Sequence, residues 1–246
     1  MYVVIIFGLV LGSFFNVVGL RIPLQQSIAG PRSACPNCQR NLTPRELIPV
    51  LSYLIQYGRC RGCRTLISPL YLLVETMTPL LFVFAFLQIG WNVELMIAWT
   101  LISLFMIIFV SDITYLLIPD KLLLFFGGIF LIERILFPLQ PWWDSLLGAI
   151  SAFVLLLLIE RLSDGGLGGG DMKLFALIGF VLGTKLVLLS FIVSVILGAF
   201  FGLIGLVCGF LKKEKPIAFG PFIGLGTLIT YFYHLEIMNW YISLFS

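Results

Sequence analysis

Charge is scarce in this sequence. Only 11% of its 246 residues are Asp, Glu, Lys or Arg, while 60% are hydrophobic and the mean hydropathy is +1.10. Soluble domains are not built on that balance; chains that cross a bilayer repeatedly are. Long polar stretches are missing too, apart from one between residues 21 and 67. No basic cluster forms a nucleic-acid footprint, and the net charge of +3 reads as a membrane-insertion signal. Residues 1–20 lack a basic leading region and a small-residue cleavage site, so they are expected to stay as a first span. Internal repeats are not evident, and no Gly-rich nucleotide fingerprint is present.

What the chain does have is apolar runs of spanning length, at 2–20, 68–89, 92–111, 119–137, 143–160, 172–187, 188–211 and 217–243. At about 1.5 Å per residue each covers about 30 Å of hydrocarbon, except the short sixth. Gly183 and Lys185 offer a turn between the sixth and seventh. The expected fold is an all-α polytopic membrane protein with about eight transmembrane helices and a small cytoplasmic zinc-binding insert. Its domains are 1–20, a first transmembrane helix; 21–67, a four-cysteine insert; and 68–246, a transmembrane core.

The basic residues set the expected orientation. With an outside N-terminus, Arg21, Arg32, Arg40, Arg45, Arg59, Arg61 and Arg64 place the insert in the cytoplasm. Lys121, Arg161, Lys173, Lys212, Lys213 and Lys215 join them there, which leaves Arg134 and Lys185 near the opposite face. Trp91, Trp142, Trp143 and Trp240 then fall at the outer interface as an aromatic belt.

The insert carries Cys35-Pro36-Asn37-Cys38 and, after 21 intervening residues, Cys60-Arg61-Gly62-Cys63. That spacing matches a four-thiolate zinc site. Disulfides need an oxidising compartment, which the expected topology denies them. An insert this small buries little core, and a structural metal contributes about 10–16 kcal/mol of folding free energy. Four sulfurs leave no open coordination position, so a structural role is expected, with a redox pair or an empty site as the alternatives. Cys208, alone in an apolar span, reads as a small core residue.

Carboxylates are costly beside hydrocarbon and mark functional sites. Asp112 stands in Ser111-Asp112-Ile-Thr-Tyr-Leu-Leu-Ile-Pro119-Asp120, and Asp171 closes Gly166-Leu167-Gly168-Gly169-Gly170-Asp171. Both fall on the expected cytoplasmic side, which suggests an acid/base pair. Two carboxylates sharing a water divide the labour: one, ionised, takes its proton, and its protonated neighbour polarises a carbonyl.

Possible supporting residues are Asn16, Arg21, Glu75, Asp120, Gly168, Gly170 and Lys173. Asn16 is an amide in the membrane that serves either helix packing or a substrate. Glu75 lies inside the second span, either in an ion pair with Arg21 or in a binding site. Asp120, after Pro119, starts a helix, and the glycines allow close backbone approach. A proton- or ion-coupled transporter would also use embedded carboxylates, but here they gather on one face.

In order along the chain, Gly12-Ser-Phe-Phe-Asn16-Val-Val, Arg21-Ile-Pro, the two Cys-x-x-Cys knuckles, Ser111-Asp112 with Ile118-Pro119-Asp120, Gly168-x-Gly170-Asp171-Met-Lys173-Leu and Ala218-Phe219-Gly-Pro-Phe222 resemble the type IV prepilin peptidases. The compact length and the stretch Pro31-Arg-Ser-Ala-Cys35 are most similar to the competence-pilus branch. The family's usual Arg-Tyr-Pro after the insert is here Leu70-Tyr71-Leu72. The resemblance implies an aspartic peptidase of the cell membrane that removes the basic leader of prepilins or pseudopilins on the cytoplasmic side, after a glycine. Asp112 and Asp171 match its catalytic positions. N-methylation of the exposed amine, with S-adenosylmethionine as donor, is implied as well.

Overall fold

In hydrocarbon a backbone satisfies its own polar groups only as a helix or a closed barrel, and this chain takes the helix. The computed structural model describes residues 1–163, 168–209 and 217–243. Among them run α1 (Tyr2–Arg21), a 3-10 turn (Pro44–Leu47), α2 (Leu51–Ile55), α3 (Pro69–Ile89), α4 (Glu94–Tyr115), α5 (Asp120–Leu136), α6 (Asp144–Leu162), α7 (Gly169–Leu182), α8 (Thr184–Val207) and α9 (Gly220–Ser243). The described residues hold no strand beyond two isolated bridges, Ala34 with Asn41 and Arg59 with Leu66.

The eight apolar runs of the sequence all fold as helices, in the expected order. Five of them, α1, α3, α4, α6 and α8, are long and apolar enough to cross a membrane. Of the others, α5 has 17 residues, α7 has 14, and α9 is broken by a non-helical Tyr233. The division between the sixth and seventh runs falls at Gly183, one of the two turn residues the sequence offers, ahead of the 187–188 boundary of the apolar runs. Gly183 has φ +81, which glycine adopts freely, and Asp144 accepts the Thr184 N–H at 3.2 Å to start α8.

The chain forms two compact units, Met1–Thr114 and Tyr115–Ser246. In the first, α1 lies along α3: a Cβ on Gly8 would stand 2.5 Å from the Pro79 Cα, so only glycine lets the backbones meet. At one end of this unit the Phe82 and Trp99 rings stack at 5.3 Å, and the Trp99 indole N–H donates to the Phe82 carbonyl at 3.1 Å. α4 supplies most of the buried apolar surface, from Leu95 to Val110.

In the second unit α6 and α7 cross at Gly148 and Gly179. A Cβ on Gly148 would lie 2.3 Å from the Gly179 carbonyl oxygen. Ser190 and Thr227 share a buried hydroxyl hydrogen bond of 2.8 Å between α8 and α9. Arg134, counted in the sequence as a topology marker, is buried on α5. Its guanidinium donates to the Val181 carbonyl in the last turn of α7 and to Phe137, satisfying acceptors that a helix end leaves open.

The crossing makes a direct prediction. Gly148→Ala forces the two backbones apart and should cost about 1–3 kcal/mol of stability, the usual penalty of overpacking. Gly128→Ala, whose Cβ meets nothing within 4 Å, is the control. Thermal unfolding in detergent should separate the two variants, and equal midpoints would remove the claim.

Candidate functional site

Each Cys-x-x-Cys pair folds into the same tight knuckle. The Gln39 N–H donates to the Cys35 carbonyl at 2.9 Å, and Arg64 repeats this to Cys60 at 3.0 Å. The Cys35 N–H reaches the Arg40 carbonyl at 3.0 Å, and Cys60 repeats this to Thr65 at 2.9 Å. The residue after each second cysteine turns through positive φ, Gln39 at 56 and Arg64 at 61. The Ala34–Asn41 and Arg59–Leu66 bridges close the two bases.

Face to face, the knuckles bring all four Sγ atoms within 4.8 Å of one another. Cys35 and Cys63 are 3.7 Å apart, Cys38 and Cys60 3.9 Å. A tetrahedral ion with metal–sulfur bonds of about 2.3 Å needs edges of about 3.8 Å. A disulfide needs about 2.05 Å, and all four are free thiols. The donor set therefore fits a thiophilic tetrahedral ion.

The local chemistry agrees. The Thr65 hydroxyl, then its backbone N–H and Asn37, draw the Cys63 thiol down to about 5. At Cys38 the Arg40 backbone lowers the thiol, but burial and the three neighbouring sulfurs outweigh it and push it up to about 11. Four sulfurs cannot all ionise side by side unless a cation sits among them.

The aspartates belong to different units. Asp112 lies in the last turn of α4 and is buried, at 6% exposure. Asp171 is the third residue of α7 and half-buried. Its carboxylate folds back over the start of its own helix, where a Cβ on Gly168 would stand 3.2 Å from Oδ2. Gly170 packs on Ile118, and the Lys173 ammonium donates to both Asp120 carboxylate oxygens at 2.8 Å. Gly166 and Leu167 of the glycine run, and Lys212, Lys213 and Lys215, lie outside the described residues.

Comparison with known proteins bears on both halves. The Bacterial Peptidase A24 N-terminal domain matches residues 6–89, and the Type IV leader peptidase family matches residues 99–203. A prepilin leader peptidase/N-methyltransferase of Bacillus subtilis (strain 168) is 45% identical over 98% of this chain and 98% of its own. Proteins of the same name from Aeromonas salmonicida (strain A449) and Legionella pneumophila are 33% and 32% identical, over 98% and 99% of this chain and 93% and 95% of theirs. The chain belongs to the type IV leader peptidase family. No solved structure matches it.

As a leader peptidase family member, it carries the four cysteines inside the first matched segment and both aspartates inside the second. Its supporting residues are placed partly as the sequence suggests. Asn16 is 1% exposed and donates from Nδ2 to the Tyr71 carbonyl of α3 at 3.3 Å, a helix-packing bond. Glu75 is buried, but its partner is not Arg21. It accepts the Val50 N–H at 2.7 Å, while Arg21 donates to the carbonyls of Ser27, Ile28 and Pro31. The guanidinium at the end of α1 is taken up by the carbonyls of the loop that follows it, and the Glu75 carboxylate by a backbone amide. Cys208 is no core residue; it caps the end of α8 and is exposed.

One anchor of the insert escaped the sequence reading. Glu46 is buried beside the first knuckle, ion-paired with Arg40 and accepting the Thr43 N–H and hydroxyl at 2.9 Å each. The signal was there in Thr43-Pro-Arg-Glu46, a capping box. The Arg40 guanidinium first, then the Thr43 amide, hold the Glu46 carboxyl down at about 2, against an ordinary 4.5. A depressed carboxyl stabilises above its unfolded value and loses that contribution as pH falls through the folded one. Glu46→Gln should therefore weaken the insert near neutrality. The gap to wild type should close between pH 4.5 and about 2, as read by hydrogen exchange of residues 33–66. A gap that persists at pH 2 would refute this.

Proposed function

We propose that this protein is an aspartic peptidase of the cell membrane that removes the leader of type IV prepilins or pseudopilins. Cleavage is on the cytoplasmic side, after a glycine, and the new N-terminus is then N-methylated. The observation that carries this reading is the 45% identity, over 98% of both chains, to a prepilin leader peptidase/N-methyltransferase. Asp112 and Asp171 do the acid and base work. The ionised carboxylate takes a proton from the attacking water while the protonated one donates to the scissile carbonyl. As the tetrahedral intermediate collapses, the first passes its proton to the leaving amine and the second takes one back from the intermediate's hydroxyl.

The Cys35, Cys38, Cys60 and Cys63 cluster holds a structural Zn2+, which fixes the insert 21–67 and takes no part in hydrolysis. S-adenosylmethionine supplies the methyl group. No strand–glycine loop–helix unit exists among the described residues to mark its site. The three helices that fall short of the five clear spans, α5, α7 and α9, complete eight crossings, with 1–20 as the first and 68–246 as the peptidase core. The basic insert then faces the cytoplasm by the positive-inside rule. Nothing in the structure favours an ion-coupled transporter.

The test is direct. Purified full chain in detergent, given a synthetic prepilin peptide that spans the leader junction, should release the leader. With S-adenosylmethionine it should add one methylene mass to the product. An intact peptide would overturn the reading, and proton flux in liposomes without cleavage would replace it with the transporter.

A further inference from the structure

Two features of the second unit bracket Asp171. One residue before it, Gly170 lies against Ile118, where a Cβ would stand 3.0 Å from the Ile118 Cβ. Two residues after it, Lys173 holds both carboxylate oxygens of Asp120 at 2.8 Å. Both contacts run to a single short segment, Ile118-Pro119-Asp120, which leads into α5. That segment is the firm side. Ile118 and Pro119 are buried, and the Pro119 ring fixes φ at −71 as the N-cap of α5.

The α7 side is soft by comparison. Gly168, Gly169 and Gly170 precede Asp171, and nothing lies within 4 Å of where a Gly169 Cβ would be. A run of glycine has the least intrinsic stiffness of any backbone. Residues two apart on a helix do not share a face, and the Lys173 ammonium points to Asp120. There it meets both carboxylate oxygens. Both partners are exposed, and an exposed pair adds little to stability. A bidentate contact placed there has another effect: it fixes where the first turn of α7 stands.

We propose that the Lys173–Asp120 pair is a positioning clamp that ties the first turn of α7, and with it the Asp171 carboxylate, to the Ile118–Asp120 segment. The proposal rests on Asp171 being a catalytic residue. Lys173 and Asp120 touch no reacting atom. They hold the carboxylate in register, and a displacement of about 1 Å in a reacting group costs on the order of 100-fold in rate.

The experiment uses the full chain in detergent and a synthetic prepilin peptide, with kcat and KM measured separately. Lys173→Met and Asp120→Asn should each lower kcat by about 10- to 100-fold, with KM changed by less than about threefold. Their unfolding midpoints should stay within about 4 °C of wild type, as loss of an exposed pair requires. Lys173→Arg keeps the charge and reach and should retain most of the rate. The exchange Asp120→Lys with Lys173→Asp should recover at least about tenfold of the loss, because the clamp is symmetric in sign.

An unchanged kcat in Lys173→Met overturns the proposal. So does a loss confined to KM, which would make Lys173 a substrate contact. A charge exchange no better than the worse single variant overturns it as well. Asp171→Asn is run beside them. If it still cleaves, the catalytic reading has failed. If it is dead while Lys173→Met is normal, only the clamp has failed.

Discussion

Asp171→Asn and Asp112→Asn should each leave the protein folded and the leader uncut. The change swaps one carboxylate oxygen for an NH2 group, so size and packing are kept while the ability to give or take a proton is lost. A positioned acid or base is worth about 100- to 10,000-fold. Each single variant should lose at least about 1,000-fold, or about 4 kcal/mol of transition-state stabilisation. The double variant should be little worse than either one, since groups that act as a unit are not additive. Leader release followed by mass spectrometry reads the loss, and a thermal midpoint within a few degrees of wild type shows that folding is kept. Methylation of a peptide already cut at the glycine should continue in both variants. Cleavage by either one within tenfold of wild type would dismiss the pair.

The second large effect concerns the insert. Removing the metal with a chelator, or one ligand with Cys60→Ser, should open residues 21–67 to protease while the helices stay folded. An ion that supplies about 10–16 kcal/mol to a segment with little core of its own cannot be lost without consequence. Trypsin should then cut at Arg32, Arg40, Arg45, Arg59, Arg61 or Arg64, all outside the long helices. Cobalt in place of zinc should show the strong charge-transfer absorption of a tetrahedral thiolate site. Metal analysis without stoichiometric zinc, or equal resistance to trypsin in Cys60→Ser, would remove the structural-metal assignment.

Some of this was written plainly in the residues. The helices α1, α3 and α4 follow apolar runs whose ends are marked by Arg21, Ser68 and Gly90, so their limits were legible to within a few residues. The four sulfurs were legible because knuckle spacing restricts geometry so tightly. Other features depend on contacts between distant segments. Glu75 reads as a carboxylate in search of a cation, and only the fold shows the Val50 N–H in front of it. Arg134 reads as a topology marker, although its guanidinium closes the end of a helix 47 positions further on. Hydropathy runs on through the α7–α8 stretch; Gly183 is one of the two turn residues the sequence offers there, and only the fold shows Asp144 meeting the start of α8. Cys208 looked buried because its neighbours are apolar, yet a helix end carries it outward.

The insert is held at both of its roots as well as at its centre. Arg21, closing α1, grips the carbonyls of Ser27, Ile28 and Pro31, and Glu75 on α3 holds the amide of Val50. None of these bonds involves a cysteine. Opening of the cluster therefore leaves the segment on a short leash rather than adrift. Cys38 and Cys60 are separated by 21 residues, and the entropy of closing such a loop grows only slowly with its length. Capture of an ion by the four sulfurs would then be a local ring closure, not a refolding of the membrane protein. With zinc as the proposed occupant, cells starved of zinc and then resupplied should recover the same molecules without new synthesis.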